Sequence, residues 1–166
     1  MASGIKITDF QIAQDQLRKK LAEFKNKNFV TVGIHEDAGN HAGSAKTNAQ
    51  IGALLNYGDE TNTLNGHAAP IPPRPWLIPG VQSGMQDVVD TIKNGIETDL
   101  PVDVIMEQVG AFAAGATQQY MTDLKTPPNS PYTIAQKGSS NPLIDTGALR
   151  ASVTYVVTND EPEEGI

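Results

Sequence analysis

The sequence predicts an α+β fold, with a small antiparallel or mixed sheet packed against two long helices and with extended loops. Three observations carry that prediction. Alternating apolar segments stand far apart, at Phe29–His35 and Val153–Thr158. Helical periodicity fills two consecutive stretches between Val81 and Lys125. Polar, Gly- and Pro-containing loops are expected at about 36–46, 59–80 and 126–142. The 166 residues suit one domain with one core, placed at 1–158, followed by an acidic tail at 159–166.

The first helix is expected over about Asp9–Lys27, because Phe10, Gln14, Leu17, Leu21 and Phe24 form a narrow, mostly apolar stripe at helical steps. Thr8 or Asp9 is its natural cap. Arg18, Lys19, Lys20, Lys25 and Lys27 lie mostly off the stripe. In Phe29–His35, Val30, Val32 and Ile34 share one face, the mark of a half-buried strand. Glu36–Lys46 is small and polar and reads as a mobile loop. Thr47–Tyr57 reads as a short helix with Ile51, Leu54 and Leu55 inward, stopped by Gly58.

Val81, Met85, Val88, Val89, Ile92 and Ile96 mark an amphipathic helix. Asp99 is a plausible cap for a second helix whose first turn holds Pro101. Its apolar positions are Ile105, Val109, Phe112, Ala116 and Tyr120, and its centre, GAFAAGA, lets another helix come close. Thr126–Pro142 is expected to lack regular structure. Asp145–Ser152 can form a short capped helix, and Val153, Tyr155 and Val157 share one face of a last strand. The two distant strands must pair, with a loop strand as a possible addition.

No apolar run reaches the ~20 residues of a membrane span, and MASGIKITDF lacks the layout of a signal peptide. With no cysteine, disulfides and thiolate metal sites are excluded, and synthesis in the cytoplasm is the plain expectation. The net charge of −7 is uneven: residues 1–28 carry six Lys/Arg against three Asp/Glu, the rest six against sixteen. This is the reverse of a nucleic-acid-binding surface, and it fits either ordinary solubility or a basic N-terminal element that docks on an acidic neighbour.

Nothing in the sequence supports an enzyme. His35, Glu36, Asp37 and His41 could be drawn into a metal site, but their spacing matches no rigid ligand pair, and unused loop histidines, His67 among them, are the simpler reading. Gly80-Val-Gln-Ser-Gly84 falls one residue short of a nucleophile elbow and follows no strand. Phosphate-binding glycine loops are absent from the sequence. The pairs Asp87/Asp90 and Asp103/Glu107 read as solvated helix faces. We expect no catalytic residue, cofactor or metal.

The most unusual stretch is Ile71–Gly80, IPPRPWLIPG, which holds four prolines around Arg74 and the only tryptophan of the chain. Proline fixes φ and removes a donor, so Ile71–Pro79 is expected to be an extended strut that cannot pair as an inner strand. It either plugs Trp76, Leu77 and Ile78 into the core, or presents Arg74 and Trp76 as an anchor for a neighbouring subunit. Both hold if Trp76 points in and Arg74 out.

LLNYGD, a polar loop and IPPRPWLIPG together resemble a segment of neck proteins of long-tailed bacteriophages, through Asn56, Tyr57, Gly58, Ile71, Pro72, Arg74, Pro75 and Trp76. A second match, Pro142–Ser152 running into Val153-Thr-Tyr-Val, is similar to that family's leucine-aspartate-threonine-glycine-x-leucine signature, here through Asp145, Thr146, Gly147, Leu149 and Arg150. The sequence departs from the pattern in that Tyr57 follows Asn56 directly, without the usual intervening acid. The matches span roughly Ile51–Val157. The resemblance implies a structural virion protein made in the host cytoplasm and located in the neck. It would form a hexameric or dodecameric homo-oligomeric ring between the portal-side head-completion proteins and the tail terminator or tube. DNA would pass through its lumen without sequence-specific binding, and no membrane would be involved.

Neck, tail-completion, tail-terminator and minor morphogenesis proteins share the pattern. Outside them, a small monomeric binding module and an unread hydrolase remain open. The Asp-Thr-Gly motif has a local logic: Asp145 is expected to accept N–H bonds at a helix start, Gly147 to allow tight packing, and Arg150 to pair with an acid. A helix cap and nothing more is the alternative.

Overall fold

The computed structural model describes residues 7–25, 29–35, 38–41 and 44–162. Its elements, in order, are α1 (Ile7–Lys25), β1 (Phe29–Gly33), α2 (Asn48–Tyr57), β2 (Thr63–Leu64), β3 (His67–Ala68), α3 (Leu77–Ser83), α4 (Met85–Glu97), α5 (Val102–Asp123), α6 (Pro131–Lys137), α7 (Ala148–Ala151) and β4 (Thr154–Thr158). The fold is α+β, a small antiparallel sheet laid on long helices.

The two distant alternating segments do pair. β1 and β4 are antiparallel, with Val30 opposite Val157 and Val32 opposite Tyr155, so the two apolar faces coincide. That face lies on α5, where Gly110 leaves room for the Tyr155 ring. The only other pairing among named strands is the short β2–β3 hairpin inside the 59–80 segment.

The small residues of α5 are used as its sequence implies. A Cβ on Gly84 would stand 2.5 Å from Ala116 Cβ, and one on Gly80 would stand 2.9 Å from Thr117 Cγ2, so α3 and α5 nearly touch along their backbones. From the other side, the Ile105 side chain fills the space over Gly95 of α4. α5 buries Val102, Ile105, Val109, Ala113, Ala114, Thr117 and Met121. Phe112, expected inward, is 52% exposed, because one step round the helix Ala113 already faces the core.

The helix expected from Val81 breaks at Gly84 into α3 and α4. The proline strut also ends sooner than expected. Pro79 sits in the first turn of α3, where an N–H has no helical partner to lose, and the first intrahelical bond runs from Gly80 N–H to Trp76 O. Ile78, expected in the core, is exposed. Thr126–Pro142 is not structureless: Ser130 caps α6, and its hydroxyl accepts the Thr133 N–H at 3.1 Å. Asp99 does not cap α5. It adopts a positive φ before Pro101, and its carboxylate accepts Lys20 Nζ at 3.0 Å.

The core gathers Trp76, Met121, Leu143, Leu149 and Val153, with Val32, Ile34, Ile51 and Leu55 packed around them. α1 stands apart from it. The helix starts ahead of Thr8 and Asp9, whose side chains lie outside the described ones. Of the stripe expected to be buried, Phe10, Leu17 and Leu21 are 58%, 48% and 45% exposed, Gln14 is exposed, and only Phe24 at the end of the helix is half-buried.

Candidate functional site

The two proline- and glycine-bearing motifs meet in space. The segment Ile71–Trp76 has three backbone N–H groups, since the other residues are prolines, and each finds an acceptor. Ile71 N–H donates to Asp59 O at 2.9 Å or less in a two-way bridge, where Asp59 N–H returns a bond to Ile71 O. Arg74 N–H donates to Leu55 O at 2.8 Å. Trp76 N–H donates to Asn56 Oδ1 at 3.0 Å, and Leu77 N–H reaches the same oxygen at 3.4 Å. Asn56, at the end of α2, thus caps the start of α3. Gly58 has φ +78°, and a Cβ there would stand 2.6 Å from Ile71 O, so glycine is required where the chain turns against the strut.

Trp76 is 3% exposed, and its Nε1–H donates to Gly52 O at 2.9 Å. It plugs the core. Arg74 corrects the expected outward pointing, for it is 5% exposed. Its Nε donates to Pro127 O at 2.8 Å, and its Nη2 to Pro128 O at 3.0 Å and Asn129 Oδ1 at 3.3 Å. Asn129 Nδ2 in turn donates to Asn141 O at 3.1 Å, and Asn141 Nδ2 to Thr122 O at 2.8 Å. Arg74 is the clasp between the proline strut and the segment after α5. Loss of hydration holds its pKa below the ordinary arginine value.

Beside this clasp lies a cavity of about 1020 Å³. One wall is the β2–β3 hairpin and the strut, with Pro72 and Arg74; the other is α6 and the Asp145–Leu149 segment. Seven residues of the two motifs therefore face one space: Ile71, Pro72, Arg74, Asp145, Thr146, Gly147 and Leu149. Lys137 adds a second cation, its Nζ donating to Asn141 O at 3.2 Å. Burial lowers the Lys137 pKa; Asp145 works against that shift and Arg74 adds to it. The wall also carries His41, whose Nδ1 shares a 2.8 Å hydrogen bond with Asn48 Oδ1, and Tyr132.

The other motif residues lie outside the cavity wall. Tyr57 is 60% exposed, Pro75 is exposed, and Asn56 and Trp76 belong to the packing behind. Arg150 bonds no acid among the described residues; its Nη1 donates to Thr122 Oγ1 at 3.2 Å. Asp145 is exposed, and the helix start takes its bond from the next residue, with Ala148 N–H donating to Thr146 Oγ1 at 3.3 Å. Gly147 faces open space. Its φ of +88°, rather than close packing, calls for glycine there.

Chemistry elsewhere is sparse. His35 is held between Thr31 Oγ1 at 3.1 Å and Thr154 Oγ1 at 3.0 Å. Glu36 and Asp37 lie outside the described residues. Among the described residues no three His, Asp or Glu side chains gather as metal ligands. Ser83 Oγ donates to Gly80 O at 2.6 Å, a helix-turn bond. No described helix is long and apolar enough to cross a membrane.

No family model, curated protein or solved structure matches the chain.

Lys137, Asn129 and Tyr132 on the cavity wall, and Asn141 in the clasp beside it, carry no signal that marks them as site residues in the sequence. Their segment reads as loop because Pro, Ser and Asn dominate it. A signal was present in Ser130-Pro131, a cap followed by proline at the first helical position.

Proposed function

We propose that this chain is a structural ring subunit of a tailed-phage virion, placed in the neck between the portal side and the tail. The observation that carries the reading is the unburied stripe of α1. A 19-residue amphipathic helix that keeps Phe10, Leu17 and Leu21 in solvent, with Arg18 and Lys19 beside them, is built to be covered by another molecule. A complementary face exists on the same chain. Met85 and Val89 share one face of α4, and Phe112 stands one helical turn before Ala116, the residue packed on Gly84.

An exposed apolar helix that meets a separate exposed apolar seam on the next subunit makes a heterologous contact, the kind that closes rings. The two motif matches, which meet at one cavity, support the neck family within this class. Rigid strut and clasp would fix the subunit's shape, while the outer helix joins it to its neighbour. Acids elsewhere on the body would let DNA slide through a lumen without adhering.

The test is the double variant Leu17→Glu/Leu21→Glu, read by native mass spectrometry and negative-stain microscopy. Both residues are exposed, so the monomer should melt within ~0.5 kcal/mol of the parent stability. Rings formed by the parent, alone or on mixing with portal-side proteins, should be lost. Unchanged assembly of the variant would refute the α1 contact, and a parent that stays monomeric with those partners would refute the ring.

A further inference from the structure

We propose that the cavity between the strut and α6 is a docking site for an acidic extended segment. Its occupant is the run that begins at Asp160 in an adjacent copy of this chain. The inference rests on the ring reading and deepens it.

The first support is the charge of the cavity. Arg74 is almost fully buried, yet its guanidinium bonds only neutral oxygens, through Nε and Nη2, and Nη1 takes part in none of these bonds. No ion pair among the described residues involves Arg74 or Lys137. Among the described residues Asp145 is the one carboxylate on the cavity wall, against these two cations. On a chain of net charge −7, this is a locally cationic pocket with proline and leucine walls. A carboxylate from an incoming chain would complete a charge-assisted bond there.

The second support is the supply of acids. Asp160, Glu161, Glu163 and Glu164 follow β4 in the sequence, with Pro162 among them to favour extended backbone. Asp160 and Glu161 are exposed.

The third support is direction. The chain passes α5 from its C-terminal end toward its N-terminal end: Arg150 bonds Thr122, Val153 O accepts from Gln118, and Tyr155 OH donates to Glu107. The cavity lies by the Thr122 end, through Asn141 and Asn129. At ~1.5 Å per residue, Thr122 and Glu107 stand ~22 Å apart along the helix. Asp160 is two residues beyond Thr158 and reaches only ~7 Å further. Asp160 and Glu161 are therefore too close to β4 to reach their own cavity, and a cavity that takes them belongs to a neighbour. That is a head-to-tail contact, as a ring requires.

The experiment uses the full chain with Asp160→Asn, Glu161→Gln, Glu163→Gln and Glu164→Gln, so that the acidic runs of other copies do not compete. A fluorescein-labelled synthetic peptide of residues 158–166 is titrated into it and followed by anisotropy. Saturable binding is expected, absent for the peptide with the same four acids changed to amides. Added Lys137→Met should weaken binding about tenfold, the change that ~1.4 kcal/mol produces. Added Asp145→Asn should tighten it, a result that a merely structural role would not give. Both side chains lie at or near the surface, so folding should survive, which Trp76 emission checks. No saturable binding at millimolar peptide, equal binding of the amide peptide, or indifference to Lys137→Met would overturn the site. Rings from a chain that fails these binding tests would sink the docking alone. A parent chain that binds the peptide but never forms rings, even with portal-side proteins, would sink the ring and the neighbour as occupant, leaving only the carboxylate chemistry of the site.

Discussion

Replacing Arg74 by methionine tests the clasp most directly. Methionine keeps an unbranched apolar stem of similar reach and removes every donor. Three acceptors lose a partner: Pro127 O, Pro128 O and Asn129 Oδ1. A hydrogen bond to a charged group contributes about 1.5–3 kcal/mol. The bond at 3.3 Å is the weakest of the three. Against them stands the cost of burying the guanidinium, the same cost that lowers its pKa. Water in the adjoining cavity can also reach part of the vacated space. The balance is a loss of about 2–4 kcal/mol, from the bond values above less these offsets. For a domain of this size each kcal/mol moves Tm by about 2–4 °C, so the midpoint should fall by ~4–16 °C. Calorimetry gives Tm, and denaturant titration followed by Trp76 emission gives the free energy. A fall below ~2 °C would mean that the three acceptors are satisfied without Arg74, and the clasp would not be a stabilising element.

Two further outcomes follow from the same packing. Trp76→Ala should cost about 3–5 kcal/mol, because it empties a core site and strands Gly52 O; an unchanged melting curve with lost assembly would instead make Trp76 a surface anchor. Tyr155 OH donates to Glu107 Oε2 at 2.9 Å, and that bond raises the phenol pKa above 10.0. The folded state then holds a proton that the unfolded chain loses, so this contribution is complete below pH 10.0 and disappears as pH rises through the folded pKa. Glu107→Gln should flatten the alkaline decline in Tm, and an equally steep decline in the variant would show that the bond is not its source.

Much of the fold was legible because the signals were local. Period-two alternation marked β1 and β4, and two distant half-buried strands have few partners but each other. The small residues of α5 announced a close helix contact, and Gly80 and Gly84 met it. The candidate site was legible only in part. Two proline- and glycine-bearing motifs could be marked as unusual from sequence, but nothing local placed them on one cavity. α6 was hidden by a composition that reads as loop, and Phe112 was misplaced because a helix with small residues on several sides can turn more than one face inward.

By itself, the chain's order of residues determined the elements, the pairing of its ends, the stiffness of the strut and the presence of a Trp that must be buried or covered. Tertiary structure alone decided that Arg74 turns inward, that Lys137 and Asp145 share its cavity, and that Phe10, Leu17 and Leu21 of α1 stay exposed. The reason is physical. Periodicity and proline act through the backbone within a few residues, whereas the direction of a long charged side chain depends on acceptors about fifty positions away, such as Pro127 and Pro128 for Arg74. Whether an amphipathic face is covered depends on the space its neighbours have already filled.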